Sequence, residues 1–526
     1  FFDMDGDGRT DIVYVRNGRW YKRTVSGGEA SLTTTGASQS AFAHSIDYNG
    51  DGQRDLLVAD SETSNWKVLS FEPTTTSQTV CEPNGNGTYL CEDIDRVVSE
   101  SVTDLGRKAI GLKGKALVAD VNGDALEDII FIDGGAIKWY RNQGGSFAAA
   151  QSLYSFPSTE LSHSTSISQW DSSSGFGSAF MDINGDGLTD FMLQVRDQGA
   201  GCSVPGALSQ WECERDLNGT WSTWDDDFWN LYVSNGSSYS KRQEIYRGQH
   251  NYLNIATTLR SADFNGDGLS DIAYVKDNKW YIQLSDGIKF LPRIDTGITT
   301  NDTRRDKTAI IDLNGDGRAE FLVQHSDTQS LIYHSARTGT NGIGAWSVYG
   351  VINETTSKPF QFADVDGLGK LDIVYAHNDR WYRLKSQSHS ALNAITRITD
   401  GLGVNTHITY APLTEKAGGQ YAVYKTQVSS HLDPARNFST IPAQWVVKRV
   451  STETGPSTQA SVNYEYGGLL INRLGRGPAG FELLRTIDNQ TGVNTETLYH
   501  QVFPQVGMPL ATRQSYQGEV LHSAIN

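Results

Sequence analysis

The stretch Asp3 to Asp11 reads "DMDGDGRTD" and places four carboxylates within nine residues, with glycines between them. Like charges this close repel one another, so the stretch favours either a polar turn or a bound cation. Six further copies begin at Asp47 (DYNGDGQRD), Asp120 (DVNGDALED), Asp182 (DINGDGLTD), Asp263 (DFNGDGLSD), Asp312 (DLNGDGRAE) and Asp364 (DVDGLGKLD). The template is D-x-[DN]-G-D-G-x-x-[DE], and we number its positions 1 to 9. Repetition of this kind predicts a repeat architecture with one copy in each structural unit.

The donor atoms of the template are those that a hard cation prefers. Ca²⁺ takes roughly six to eight oxygen ligands. Positions 1, 3 and 5 offer carboxylate or amide oxygens, position 7 a backbone carbonyl and position 9 a further carboxylate. We therefore predict up to seven structural Ca²⁺ sites. The candidate ligands are Asp3, Asp5, Asp7, Asp11, Asp47, Asn49, Asp51, Asp55, Asp120, Asn122, Asp124, Asp128, Asp182, Asn184, Asp186, Asp190, Asp263, Asn265, Asp267, Asp271, Asp312, Asn314, Asp316, Glu320, Asp364, Asp366 and Asp372.

Three copies depart from the template. Ala125 replaces the second glycine, Glu320 ends the sixth copy, and Leu368 removes the position-5 ligand from the seventh, which is the weakest predicted site. An EF-hand loop begins similarly but needs a glutamate at position 12 and flanking helices. Position 12 is Tyr14 in the first copy and Tyr274 in the fifth, so the EF-hand interpretation fails. For any single copy, the alternative is a polar turn without metal.

The residues after each copy predict strands. Runs such as "DIVYV" and "DIAYV" are β-branched and aromatic, and segments such as "RWYKR", "KWYRN", "KWYIQ" and "RWYRL" follow after short turns. Small sheets repeated radially make a β-propeller. We predict an all-β chain with a seven-bladed propeller over residues 1–386, carrying insertions at about 73–110 and 191–262. A linear β-solenoid is the competing architecture. The first blade lacks most of its opening strand, so we expect the chain to be part of a longer protein.

The repeats resemble the FG-GAP/VCBS repeats that also form the propellers of integrin α-subunits. In that family the aspartate-rich loop binds Ca²⁺ within a blade hairpin, and the resemblance implies the same arrangement here. It covers the repeat region and is specific for fold rather than function.

The pattern changes near residue 387. A polar linker at 387–394 precedes a β-rich region at 395–526, in which no acidic repeat occurs. The segments "DGLG…ITYAPL", "YEYGG", "GRGPAGFE" and "FPQVG" resemble the part that follows the propeller in SpvB-like proteins and in TcB subunits of bacterial toxin complexes. The resemblance implies a truncated middle domain leading into an Rhs/YD-type shell around a toxic polypeptide. It also implies a propeller that gates the shell and docks on a translocating subunit.

Composition limits the remaining possibilities. The net charge of −17 argues against nucleic-acid binding, and no apolar run is long enough to span a bilayer. The cysteines fall in two close pairs, Cys81/Cys91 and Cys202/Cys213. Short local disulfides would fit an oxidising compartment, and four free thiols are the alternative. We expect a secreted or cell-surface protein, of bacterial origin by its resemblance.

Three classes of function fit these observations. The first is a non-catalytic, Ca²⁺-stabilised scaffold that binds a protein partner, either a toxin-complex subunit or a host surface protein. The second is an integrin-like adhesin that uses the insertions as its contact surface. The third is a propeller lyase or glycosidase, but the chain has neither an HExxH nor a G-x-S-x-G motif. "GRGPAG" at 475–480 matches a dinucleotide fingerprint by letters only, because no long helix is predicted after it.

Overall fold

In the part that it describes, the computed structural model of the chain consists almost entirely of strands and turns, with a 3₁₀ turn at Thr340–Gly342. The described residues are 2–4, 8–16, 19–23, 29–31, 43–73, 79–83, 89–93, 98–110, 116–156, 178–196, 214–215, 221–222, 227–247, 258–301, 304, 307–337, 340–354, 356, 360–377, 380–386, 394–417, 420–425, 437–439, 441–455, 458–472 and 477–525. Among them, no helix is long and apolar enough to cross a membrane.

Seven small antiparallel sheets follow one another along residues 12–384. The first contains β1 (Ile12–Arg16), β2 (Arg19–Arg23) and β3 (Glu29–Ser31). The second contains β4 (Ala43–Ile46), β5 (Asp55–Val58), β6 (Asn65–Pro73) and β9 (Val98–Lys108), and the hairpin β7 (Thr79–Pro83) and β8 (Tyr89–Asp93) is inserted into it. The third contains β10 (Ala116–Ala119), β11 (Asp128–Asp133), β12 (Ala136–Tyr140) and β13 (Gln151–Ser155).

The later sheets repeat this plan. The fourth contains β14 (Ser178–Met181), β15 (Asp190–Arg196), β18 (Asp227–Ser234) and β19 (Tyr239–Arg247), with the pair β16 (Glu214–Arg215) and β17 (Trp221–Ser222) inserted. The fifth contains β20 (Arg260–Ala262), β21 (Asp271–Lys276), β22 (Lys279–Gln283) and β23 (Ile294–Thr299). The sixth contains β24 (Ala309–Ile311), β25 (Glu320–Gln324), β26 (Ser330–Ser335) and β27 (Trp346–Ile352). The seventh contains β28 (Gln361–Ala363), β29 (Asp372–His377) and β30 (Arg380–Leu384).

The predicted all-β class and the propeller are confirmed, with one difference in the blades. Among the described residues five sheets have four strands, whereas the first and the seventh have three. In the first sheet, the place of the opening strand holds only an isolated bridge between Phe2 and Asp11. In the seventh, β30 pairs with β29, and the polar stretch after Leu384 contributes no described fourth strand.

The segments expected as insertions contain blade strands. β9 pairs with β6 as the fourth strand of the second sheet, and β18 and β19 complete the fourth sheet. The chain between β6 and β9 is therefore 74–97, and the chain between β15 and β18 is 197–226. Repeat spacing alone could not show this, because a long gap between motifs does not reveal which part of it is strand.

Aromatic side chains join neighbouring blades. Trp280 of the fifth sheet is fully buried, and its ring centroid lies 5.4 Å from that of Phe321 in the sixth. Trp20 of the first sheet lies in one cluster with Phe71 of the second. Burial of such large side chains between small sheets is the main source of stability in this architecture.

Contacts between the acidic loops run round the propeller and close it. The backbone N–H at position 8 of one loop donates to the carbonyl at position 1 of the preceding loop: Ser270 to Asp182 at 2.9 Å, and Ala319 to Asp263 at 2.8 Å. Thr10 donates in the same way to Asp364 at 2.8 Å, which places the seventh loop against the first. The first and last blades are therefore neighbours, although both have fewer strands than the rest.

The second region is one large sheet of ten strands. Its strands are β31 (Arg397–Thr399), β32 (Asn405–Pro412), β37 (Trp445–Gly455), β38 (Thr458–Asn472), β39 (Gly477–Asp488), β40 (Val493–Tyr499), β41 (Pro509–Tyr516) and β42 (Glu519–Ile525), in that order. Two short strands, β35 (Tyr424–Lys425) and β36 (Asn437–Ser439), also pair with β38 and bring the described strands of this sheet to ten. A separate two-stranded sheet is formed by β33 (Lys416–Ala417) and β34 (Gln420–Tyr421). "GRGPAG" runs into β39 rather than a helix, as expected.

Candidate metal centres

Each acidic loop from the second to the seventh connects two adjacent strands of one sheet, and the first loop leads from the Phe2–Asp11 bridge into β1. The loop from Asp263 to Asp271, for example, joins β20 to β21, and the loop from Asp182 to Asp190 joins β14 to β15. The loop-to-loop hydrogen bonds place these connections at one end of the blades, which we call the loop face. The turns between second and third strands lie at the opposite end, which we call the turn face.

Backbone N–H groups organise the carboxylates within a loop. In the fifth loop, Asp263 accepts hydrogen bonds from Gly266 N at 2.6 Å and from Gly268 N at 2.8 Å. The Asn265 side-chain oxygen accepts from Asp267 N at 3.1 Å, and Asp267 Oδ1 accepts from Leu269 N at 2.9 Å. The chain thus wraps around the side chains of positions 1, 3 and 5.

The same arrangement recurs in the second, third, fourth and sixth loops. The position-1 carboxylates are those of Asp47, Asp120, Asp182 and Asp312. The position-3 amide oxygens are those of Asn49, Asn122, Asn184 and Asn314. The position-5 carboxylates are those of Asp51, Asp124, Asp186 and Asp316. In the first loop Asp3 accepts from Gly8 N at 2.9 Å, whereas the predicted ligands Asp5 and Asp7 lie outside the described residues.

The acid at position 9 has a different environment from the others. It is almost fully buried in every loop, at Asp11, Asp55, Asp128, Asp190, Asp271, Glu320 and Asp372. Asp271 Oδ2 accepts from Phe264 N at 2.9 Å and Oδ1 from Ser285 N at 2.7 Å, so this carboxylate fixes both the start of the loop and a later turn. Because each carboxylate oxygen can accept a second bond, these contacts leave room for a cation.

Five of the position-9 carboxyls, those of Asp55, Asp128, Asp190, Asp271 and Glu320, have raised pKa values. Burial, with a smaller contribution from the acids at positions 1 and 5, raises the pKa of Asp128 and of Asp271 to about 7, although two backbone N–H groups oppose the shift in each. The same causes raise the pKa of Asp190 to about 6 and that of Glu320 to about 7, and hydrogen bonds from Leu313 and Asn314 oppose the rise at Glu320. Burial also raises the pKa of Asp55 to about 8. A cation in the loop would favour the charged form of these groups.

The donor set of the middle loops fits Ca²⁺. Its side-chain oxygens come from three carboxylates and one amide, which are the hard ligands that this ion prefers. Within the part of the chain that the structure describes, no lysine or arginine forms an ion pair with a carboxylate at position 1, 5 or 9 of the third, fourth or fifth loop, although Arg54 pairs with Glu127 at position 8 of the third. In these three loops, only a cation from solution would neutralise the negative charge of those carboxylates.

The departures from the template have different consequences. Ala125 adopts a φ of 64°, and its N–H still donates to Asp120 at 2.9 Å, so the third loop keeps its shape without the second glycine. In the sixth loop Glu320 comes close to the other acids: one carboxylate oxygen from each of Asp312, Asp316 and Glu320 lies within 4.8 Å of the others. Asp316 also pairs with the buried Arg318 at 3.1 Å.

The seventh loop has the same close spacing of acids but holds basic side chains among them. Carboxylate oxygens of Asp364, Asp366 and Asp372 lie within 4.8 Å of one another. Arg383 and Lys385, from the third strand of the blade and just after it, form ion pairs with these acids. Sequence reasoning missed both residues. An alignment of "KWYIQL" with "RWYRLK" would have shown them, since Arg383 and Lys385 stand where the fifth blade has Ile282 and Leu284.

The seventh loop also joins the propeller to the second region. Thr414 Oγ1 donates to the carbonyl of Gly367, and the Lys370 ammonium lies 4.9 Å from the centre of the Trp445 ring. Gly369 has a φ of +70°, and a Cβ there would lie 2.6 Å from Trp445 Nε1. A side chain at position 369 would therefore collide with the second region.

The cysteines are only partly described. Cys81 and Cys91 are directly opposite in the register of β7 and β8, while Cys202 and Cys213 lie outside the described residues.

Two family models match the chain. One, described as an FG-GAP-like repeat, matches residues 3–58, 120–193 and 263–323. The other, described as the insecticide toxin TcdB middle/N-terminal region, matches residues 349–507. A comparison with curated proteins finds no match.

Several solved structures resemble the chain at low identity. The Photorhabdus luminescens Tc holotoxin pore has 13% identity and a TM-score of 0.47 over 94% of this chain and 22% of that chain. An Agrocybe aegerita lectin that recognises non-reducing terminal N-acetylglucosamine has 16% identity and a TM-score of 0.42 over 66% of this chain and 78% of its own. A TcdB2–TccC3 complex without its hypervariable C-terminal region has 12% identity and a TM-score of 0.34 over 96% of this chain and 29% of that chain.

At these identities and TM-scores, the structural likeness by itself establishes no function. The chain spans 22% and 29% of the two toxin chains. The two family matches lie side by side in the order that the sequence motifs indicated. The chain therefore carries FG-GAP-like repeats followed by a middle/N-terminal region of the insecticide toxin TcdB type.

Proposed function

We propose that this chain is a non-catalytic scaffold from a secreted, toxin-complex protein of the TcB type. In this proposal Ca²⁺ in the acidic loops stabilises the propeller, and the second region begins a shell that encloses a toxic polypeptide. The propeller docks on a protein partner or gates the shell. Support comes from the presence of both family regions in one chain.

The observation that carries the proposal is the way the two regions meet. The loop face of the propeller packs on the second region through the seventh loop, and through Gly8 of the first loop, where a Cβ would lie 2.6 Å from Ile441 O. The turn face points away from this junction, and its turns are exposed, as at Asp277 and Thr328. A propeller held in this way offers its turn face to a partner.

The docking proposal can be tested with the full-length protein and the translocating subunit of its complex. We expect the two to co-sediment in analytical ultracentrifugation in the presence of Ca²⁺. Thr328→Arg, on the turn between β25 and β26, should weaken the complex at least tenfold. Ile288→Arg is the matched control, because Ile288 is 63% exposed and lies at the loop-face end of the adjacent blade. No co-sedimentation, or equal weakening by both substitutions, would contradict docking through the turn face.

A further inference from the structure

The seventh acidic loop differs from the others in what neutralises it. Arg383 Nη2 lies 2.6 Å from Asp366 Oδ2 and 2.7 Å from Asp372 Oδ2, and Arg383 Nε donates to the same Asp372 oxygen at 2.8 Å. Lys385 Nζ lies 2.8 Å from Asp366 Oδ2. The Arg383 guanidinium thus bridges Asp366 and Asp372, and the Lys385 ammonium is a second basic partner of Asp366.

The fifth blade shows what these positions do when no basic residue is present. Arg383 is opposite Val374 in the sheet register, and Ile282 is opposite Ala273 at the equivalent place. Ile282 and Leu284 are fully or almost fully buried in the core between the fifth and sixth blades. The seventh blade therefore has two basic side chains, Arg383 and Lys385, at positions where the fifth blade has two apolar core residues.

The loop has also lost a ligand that a metal would need. Leu368 stands at position 5, where its backbone N–H still donates to Asp364 Oδ1 at 2.9 Å but its side chain has no oxygen. A divalent ion would have to bind with one ligand fewer and share Asp366 and Asp372 with the guanidinium. Because the ion and the Arg383 guanidinium would bind the same two carboxylates, the repulsion between their positive charges opposes binding of the ion.

We infer that Arg383 and Lys385 occupy the seventh loop in place of a metal ion, so that the contacts of this loop with the second region are independent of calcium. The inference rests on the proposed function, since it assigns calcium to the regular loops alone. Two contacts that join the regions lie on this loop: Gly367 with Thr414, and Lys370 with Trp445. Loss of calcium from the other loops would then leave these two contacts intact.

The test is a calcium count on the full chain by equilibrium dialysis, with single substitutions in two loops. Asp267→Asn, in the regular fifth loop, should lower the count by one ion per molecule. Asp366→Asn, in the seventh, should leave the count unchanged. A triple substitution Leu368→Asp, Arg383→Ile and Lys385→Leu restores the fifth-blade pattern and should raise the count by one. A lower count for Asp366→Asn would overturn the inference and leave calcium binding intact.

A second measurement separates this inference from the proposed calcium binding. Arg383→Met should lower the midpoint of thermal unfolding by the same amount in excess Ca²⁺ and in EGTA, because the interaction that it removes involves no metal. A midpoint that is unchanged, or that falls only when calcium is present, would overturn the inference. If the wild-type chain binds no calcium at all, the proposed calcium function falls, and the Arg383→Met result still decides the role of the basic pair.

Discussion

Two kinds of aspartate share each acidic loop, and they have different environments. Asp271 is buried and accepts backbone N–H groups from Phe264 and Ser285. Asp267 lies in the exposed part of the loop, where Oδ1 accepts the backbone N–H of Leu269 and Oδ2 accepts the side-chain amide of Asn265 at 2.7 Å. The first resembles a structural anchor, whereas the second would exchange its Asn265 contact for a cation when one binds.

Substitutions at these two positions should therefore behave differently. Asp271→Ala leaves two N–H groups without an acceptor in a buried place, which costs on the order of 3 kcal/mol in unfolding free energy. We expect that loss in chemical denaturation with EGTA, and a larger one with Ca²⁺, because Asp271 is also a predicted ligand. Asp267→Asn keeps an acceptor and should lower the unfolding free energy only when Ca²⁺ is present. A calcium-independent loss for Asp267→Asn would mean that position 5 is structural as well.

Glycine at position 6 has a second role in the seventh loop. Gly268 and Gly369 occupy the same loop position with φ of 85° and 70°, but only Gly369 has the second region against its Cα. Around Gly268, a Cβ would meet nothing within 4 Å. Ala125 shows that alanine can adopt this conformation in the third loop.

The pair provides a matched test of the junction. Gly268→Ala should cost about 1 kcal/mol, the usual penalty of left-handed backbone for a residue with a Cβ. Gly369→Ala carries the same penalty and must also displace Trp445 and the backbone near Ala443, so we expect a clearly larger loss. Urea unfolding compares the two, and limited proteolysis near residue 414 should accelerate for Gly369→Ala only. Equal losses of unfolding free energy would show that the second region can move away from position 369 without destabilising the protein.

At the scale of elements, the hairpin of β7 and β8 gives the cysteine prediction a concrete form. Residues directly opposite in an antiparallel pair have Cα atoms about 4.5–5.5 Å apart, which lies within the range of disulfides. Cys81 and Cys91 hold such positions. We expect peptide mapping without reduction to find these two cysteines linked in protein from an oxidising compartment. Recovery of both as separately alkylated thiols would contradict the prediction.

The loops could be predicted from sequence in detail because their structure is local. Asp263 is bonded to N–H groups only three and five residues away, so the spacing of the motif already contains the geometry. Arg383 could not be placed in this way. It lies 11 residues beyond Asp372, and the register of β29 and β30 is what brings it back to the loop.

At the scale of the whole molecule, what the sequence could not show is where the two regions touch. The motif boundaries indicated a propeller and a second β-rich region, but the contact of Gly367 with Thr414 spans 47 residues and depends on the fold of both. The same is true of closure, because the bond from Thr10 to Asp364 joins the first blade to the last. The adhesin and polysaccharide-enzyme hypotheses stay predictions, and the cation of the regular loops is the claim on which the proposed scaffold depends.

Calorimetric unfolding of the whole chain, in saturating Ca²⁺ and then in excess EGTA, tests that claim most directly. An ion that binds only the folded state adds about 2.7 kcal/mol per site at a concentration a hundredfold above its Kd. Several loops acting together should therefore raise the unfolding midpoint of the propeller strongly, and Mg²⁺ at the same concentration should raise it less. Superimposable unfolding profiles in Ca²⁺ and EGTA would mean that "DMDGDGRTD" and its copies are acidic turns closed by their own backbone hydrogen bonds.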